Sequence, residues 1–311
     1  MVVTQQQREF TDNQFLNRLR SDVKSQFGED GIIEGIFKII PSEVQNHWCC
    51  EFGAWDGMHC SNTFNLVVNK SWSGVFIEAN EKKFVDLKKT YASFKKAVLI
   101  NEFVNTSGEN TLDKLLKRAG APIDLDLLSI DVDGMDYYIW SSLLEFRPKL
   151  VVIEFNPTIP DNIEFVQAED ASKKHGTSLR SMTKLAKEKG YELICVNAEN
   201  AFYVDKKYFE LFGIKDNSIG ALKYYPEPLQ VFQLFDGTLV FHNNAPPSLV
   251  WFGLPVDFAK LQILPKFIRD INAPWGGGVL GALVRAPIKL MRSYRLKNWK
   301  GHQGDPGAWK M

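Results

Sequence analysis

Carboxylates stand where apolar runs end: Glu51, Glu78, Asp131 with Asp133, and Glu154 followed by Asn156. An acid that closes a buried parallel strand sits at the strand's carboxyl end, where open α/β sheets bind ligands. There it can accept two ribose hydroxyls, take a proton from a hydroxyl, or share a hard cation with other oxygen ligands. Glu51 opens Glu51-Phe52-Gly53-Ala54-Trp55-Asp56-Gly57, where an apolar run gives way to two glycines. A strand turns tightly toward a helix in this way, and Gly53 and Gly57 are expected to leave room for a ligand against the backbone. Glu78 ends the run Val75-Phe76-Ile77, at nearly the spacing (about 20 residues) that puts an acid on a ribose in a Rossmann-like unit.

These residues need a frame to hold them. Apolar spacing predicts a helix over Asp12–Lys24, through Phe15, Leu16, Leu19 and Val23, and a second carrying Ile32, Ile33, Ile36, Phe37 and Ile40 up to Pro41. Strands follow at Trp48–Phe52, Trp72–Ile77, Ala97–Ile100, Leu125–Ile130 and Leu150–Phe155. Between them lie helical patterns over Asn62–Asn69 (capped by Ser61), Glu81–Phe94, Thr111–Arg118 and Met135–Leu144. Strands alternating with helices imply βαβ units and a mostly parallel sheet. Residues 158–177 read as a long polar loop of the kind that covers a site. Ser178–Lys189 is the next helix. Tyr191–Val196 and Ala201–Val204 then form an antiparallel hairpin at the sheet's edge, and Val231–Phe241 a further hairpin turning at Asp236-Gly237.

Composition sets bounds. The chain has 311 residues, 45% hydrophobic and 24% charged, with equal numbers of basic and acidic side chains. That is an ordinary globular composition, and a net charge of zero offers no field for nucleic acid. Cys49, Cys50, Cys60 and Cys195 show neither a disulfide framework nor zinc spacing, so the expected setting is reduced and cytoplasmic. No leader-like or membrane-spanning run is visible. The organisation reads as an N-terminal helical segment (1–45), a main domain (46–245) and a C-terminal extension (246–311). The extension carries Arg285, Lys289, Arg292, Arg295, Lys297, Lys300 and Lys310 against Asp305, a pattern suited to peripheral contact with an anionic membrane or to docking on protein.

Several segments occur together in a telling order: Ser25-Gln26-Phe27-Gly28-Glu29-Asp30-Gly31, Glu51–Gly57, Ser61-Asn62-Thr63, Trp72-Ser73-Gly74 with Ile77-Glu78-Ala79-Asn80, and Ser129-Ile130-Asp131-Val132-Asp133-Gly134. Over roughly residues 22–205 this resembles the FkbM-type methyltransferases, which use S-adenosyl-L-methionine. The chain departs from the family where Glu-Ala-Asn replaces the more usual Glu-Pro and Asp-Val-Asp the more usual Asp-Val-Glu. The resemblance implies a class I methyltransferase sheet and methylation of a hydroxyl on a small-molecule or glycan acceptor.

On that resemblance Glu51, Gly53, Ala54, Asp56, Gly57, Ser61 and Asn62 hold the methionine end of the cofactor. Glu78 and Ala79 take the ribose, and Asn101 and Glu102 the adenine side. Gln26, Glu29 and Asp30 either cover the cofactor or cap their own helix. Asp131 or Asp133 serves as the base beside the methyl group, with His175 delivered from the loop as an alternative. Asp131, Glu154 and Asn156 could hold a magnesium ion (Mg2+) that lowers the hydroxyl pKa, or act without metal. Two competing readings remain at this point: a metal-dependent glycosyltransferase using Asp131-Val132-Asp133, and a sheet kept as a non-catalytic binding module. Gly276-Gly277-Gly278-Val279-Leu280-Gly281 matches G-x-G-x-x-G but follows Pro274-Trp275 rather than a strand, so it is set aside.

Overall fold

A computed structural model describes residues 10–223, 230–233 and 239–242, together with Ala286 and Leu290. The chain divides into two compact units, Met1–Pro226 (with Trp309–Met311) and Glu227–Ala308. In the second, β8 (Gln230–Gln233) and β9 (Leu239–His242) pair antiparallel. Their connecting Asp236-Gly237 and the basic tail lie outside the described residues.

The first unit is built on one seven-stranded sheet in the order β3-β2-β1-β4-β5-β7-β6. The strands are β1 (Trp48–Phe52), β2 (Ser73–Ile77), β3 (Ala97–Ile100), β4 (Leu127–Ile130), β5 (Leu150–Glu154), β6 (Tyr191–Val196) and β7 (Asn200–Asp205). The first five run parallel, and β7 runs antiparallel to both β5 and β6. This is the class I methyltransferase arrangement, a mostly parallel Rossmann-like sheet with an antiparallel edge hairpin. Chain order reverses between β1 and β4, which is where an open sheet splays and admits a ligand.

The strands form where they do because they are mostly apolar. Cys49, Cys50, Phe52, Val75, Phe76 and Leu127 to Ile130 are buried, as a sheet covered on both faces requires. Helices α1 (Glu29–Ile39), α2 (Glu81–Thr90), α3 (Leu112–Arg118), α4 (Asp136–Ser142), α5 (Leu179–Glu188) and α6 (Ile219–Leu222) accompany it. No helix among the described residues is long and apolar enough to cross a membrane.

Two local expectations fail. The helix expected over Asp12–Lys24 is a 3-10 helix limited to Asp12–Leu19, and Val23 is exposed. The reason lies in the carboxylates that follow it. Asp30 Oδ2 accepts the backbone N–H groups of Val23, Lys24 and Ser25, and Glu29 Oε2 those of Gln26 and Phe27. Side-chain acceptors take the donors that a continuing helix would have used. The segment after Ser61 is also shorter than expected. Ser61 Oγ accepts from Thr63 and Phe64, but the regular turn is a π-helix at Asn65–Asn69.

Candidate functional site

The carboxyl ends of β1, β2, β4 and β5 meet in one place. The turn after β1 is tied to β2, because Ala54 N donates to Ile77 O and Trp55 N to Glu78 Oε2 at 2.8 Å. Asn80 N donates to the other oxygen, Glu78 Oε1, at 2.7 Å. Glu78 is half-buried, and each carboxylate oxygen keeps one free lone pair, the acceptor positions that a ribose diol's two hydroxyls would need. Asn101 Nδ2 reaches the carbonyls of Glu78 and Ala79, so it joins this corner. Glu102 instead accepts from Asn110 at 2.7 Å, a contact within its own loop.

Glu51 behaves differently from Glu78. Its Oε2 accepts from the Ser61 and Thr63 hydroxyls at 2.6 and 2.9 Å, and its Oε1 from Asn62 N at 2.7 Å. Asn62 Nδ2 is bonded to Ser129 Oγ. Glu51, Ser61 and Asn62 thus form a buried knot that fixes the loop. Burial pushes the Glu51 carboxyl up from its ordinary value, against the hydrogen bonds that pull it down.

The two glycines of the turn have another purpose than expected. A Cβ on Gly53 would lie 1.7 Å from the Asp131 carbonyl oxygen, and one on Gly57 2.4 Å from the Tyr91 ring. Both have positive φ, 75° and 73°. The protein itself fills the space each leaves, so they serve the close fit of the turn against β4 and α2. Asp56 Oδ1 caps the turn by accepting from Met58 and His59.

At the end of β4 the chain makes a strained corner. Asp133 has φ 55°, and Asp136 at the start of α4 accepts from Val132 N and Gly134 N. This corner brings Asp131, Asp133 and Glu154 together, with one oxygen of each within 4.8 Å of the others. Asp131 is exposed by surface yet ringed by protein and acids. Desolvation, then repulsion from Asp136 and Asp133, raise its pKa to about 8. Burial and the same acids lift Glu154 well above its usual range, and burial lifts Asp136 to about 6. Glu199, and behind it Glu29, add to the same field.

Asn156 does not join this group as expected. Its Oδ1 accepts from Thr158 N and Oγ1, and its Nδ2 donates to His175 O. Asp133 is the third acid beside Asp131 and Glu154. His175 is held by its backbone, with N–H on Gln167 Oε1, and its side chain is exposed.

Residues that sequence reasoning passed over complete the site. Buried Gln167 staples the 158–177 loop: Oε1 accepts from His175 and Gly176, while its own carbonyl accepts from Tyr138. The same Oε1 lies 2.5 Å from where a Cβ on Gly134 would be, so the loop is pressed onto the β4 corner. Lys174 on that loop donates to Val132 O and lies 3.7 Å from Asp133. Among the described residues it is the cation whose ion pair reaches this group of acids. Glu29 Oε1 accepts from Asn197 and Asn200 in the β6–β7 turn, so it anchors the N-terminal segment rather than opening toward a ligand.

No protein-family profile matches the chain, and no curated protein does. Its sheet is similar in shape to solved methyltransferases. One is the CMeT domain of the citrinin polyketide synthase (10% identity, TM-score 0.39, 57% of this chain and 51% of that one). Another is a putative caffeoyl-CoA O-methyltransferase from Staphylococcus aureus (15%, 0.36, 60% and 86%). A third is the glycopeptide N-methyltransferase MtfA in complex with S-adenosyl-L-homocysteine (9%, 0.36, 57% and 89%). The chain thus spans about half the length of the first. Likeness at this level says nothing of activity; strand order and site geometry must speak for themselves.

Proposed function

We propose that the chain is an S-adenosyl-L-methionine-dependent O-methyltransferase of the FkbM type, acting on a hydroxyl of a sugar, glycan or glycosylated small molecule. The observation that carries this reading is the group of acids at the strand tips, which among the described residues outnumbers the one cation paired with it. Asp131, Asp133, Glu154 and Glu199 crowd one end of the sheet, with Lys174 on its rim. Such a field favours a cationic ligand and opposes a nucleoside diphosphate, whose charge has the wrong sign. A sulfonium nucleoside with an amino acid tail answers both to that field and to the half-open Glu78.

When bound, S-adenosyl-L-methionine supplies the methyl group. Glu78 holds the ribose hydroxyls, and the Glu51 knot keeps the turn rigid around the tail. Asp131 accepts the proton of the acceptor hydroxyl. With a pKa near 8 it must first lose its own proton, which mildly alkaline conditions or the nearby sulfonium charge favour, before it can act as the base. The loop stapled by Gln167 walls the acceptor side and keeps Lys174 against Asp133.

Calorimetry with S-adenosyl-L-homocysteine tests the reading. Wild type binds and Glu78→Ala binds at least tenfold more weakly, about 1.4 kcal/mol. Absence of binding by wild type sinks it. A second reading adds a divalent ion at Asp131, Asp133 and Glu154, supported by the convergence of their oxygens. Magnesium titration of the ligand-free protein tests that addition, and an unchanged melting temperature rejects it. Binding of a nucleotide sugar with manganese, in place of S-adenosyl-L-homocysteine, would favour glycosyl transfer.

A further inference from the structure

β3 is the outermost strand of the sheet, and no strand among the described residues pairs with its outer side. Its residues, Ala97–Ile100, are apolar and half-buried. A groove of about 320 Å³ runs beside them, lined by Val98 to Glu102, Asn101 included, with Arg118 and Ala119. Phe103, just beyond, is 52% exposed. Sheet edges are normally blunted by inward charge, proline or a bulge, and none interrupts this strand.

The backbone fixes how the edge can be used. Gly74 N donates to Lys96 O and Glu78 N to Ile100 O. In a parallel ladder this turns Lys96, Val98 and Ile100 toward β2, and Leu99 turns its N–H and C=O outward. We propose that this edge is the docking surface for a second copy of this chain, pairing β3 with β3 antiparallel about a two-fold axis at Leu99. Leu99 faces itself as a hydrogen-bonded pair, which places Val98 opposite Ile100 and Lys96 opposite Glu102, the last twice by symmetry.

Charge selects this orientation. Lys95 and Lys96 precede the strand and Glu102 follows it, so antiparallel self-pairing joins unlike ends whereas parallel pairing would set lysine on lysine. Glu102 is already held at the edge through Asn110 on Oε2, which leaves Oε1 for the incoming lysine. Lys96, bonded in the single chain to the Ser71 carbonyl, exchanges that acceptor for a carboxylate. Lys95 falls opposite Phe103, whose exposed ring can take its stem. The net charge of zero puts no general repulsion between copies. A two-fold pairing of one edge with itself closes after two copies and gives a dimer rather than a fibre.

Sedimentation velocity on the full chain, from about 1 to about 100 µM, is expected to show a concentration-dependent dimer. Leu99→Pro removes the outward N–H while the β2 ladder keeps its bonds, and it is expected to abolish the dimer. Glu102→Lys sets lysine against lysine twice and weakens dimerisation about tenfold. The double variant Lys96→Glu with Glu102→Lys restores it to within about threefold, which loss of the Asn110 contact alone would not allow. A wild type that stays monomeric across the range overturns the proposal, as does a dimer indifferent to Glu102→Lys or a charge swap that restores nothing. Circular dichroism checks each variant's fold. If Leu99→Pro unfolds, the charge-swap pair decides alone.

Discussion

β4 carries an aspartate at each end, and the two could hardly be treated more differently. Asp126 precedes the strand and is fully buried, and the chain supplies a cation to one of its oxygens, which has no hydrogen-bond partner, and two backbone donors to the other. Lys149 Nζ lies 2.9 Å from its Oδ1, and Asn46 N and His47 N donate to its Oδ2. Asp131 follows the strand, faces solvent, and is surrounded by Asp133, Asp136, Glu154 and Glu199, and among the described residues no lysine forms an ion pair with it. An acid that only holds a fold together is matched by the sequence that folds it. An acid left unmatched in a cleft, at some cost to stability, is waiting for charge from outside.

The comparison breaks most visibly by removing the matched cation. Lys149→Met strands Asp126 in the interior and should cost about 3–5 kcal/mol in urea unfolding. Glu78→Ala comes next, with its loss of at least a factor of ten in S-adenosyl-L-homocysteine affinity and little change in melting, since its backbone donors are within reach of water. Asp131→Asn should go the other way. Its folded pKa, about 8, is above the ordinary carboxylate value, so the folded state holds that proton more tightly. The stability it lends is full at acid pH and is lost as pH rises through about 8. Asparagine removes that loss, so the variant should gain about 1 kcal/mol at pH 9, discounted for the group's open face, and nothing at pH 4.5. Equal losses from Lys149→Met and Asp131→Asn at pH 9 would erase the contrast.

Much of this was legible because it is local. Strand tips announce themselves when an apolar run meets an acid, as at Glu51, Glu78, Asp131 and Glu154, and β1 and β3 begin and end where their residues predict. What escaped is tertiary. Helical spacing over Phe15–Val23 could not show that Asp30 and Glu29 take the backbone donors of the following loop. Gly53 and Gly57 signal a need for glycine without saying that Asp131 and Tyr91 occupy the space. The choice of Asp133 over Asn156 as neighbour to Asp131 depends on a left-handed residue at the β4 corner and on Thr158 and His175 engaging Asn156. Gln167 and Lys174 sit in a polar loop with no periodicity, and only the folded loop puts them at the site.

The finest test of the contrast is a proton count. If Asp131 is the unmatched acid, it is mostly protonated at pH 7, and a cationic ligand placed beside it must lower its pKa, by roughly 1–3 units at contact distance. Binding of S-adenosyl-L-methionine should therefore release on the order of half a proton. Calorimetry at pH 7 in buffers of different ionisation enthalpy reads this as a buffer-dependent heat. S-adenosyl-L-homocysteine lacks the sulfonium charge and should release clearly less, and in Asp131→Asn the difference between the two ligands should shrink. Identical proton release by both ligands in the wild type would mean that the field of the cleft is not what recognises the methyl donor.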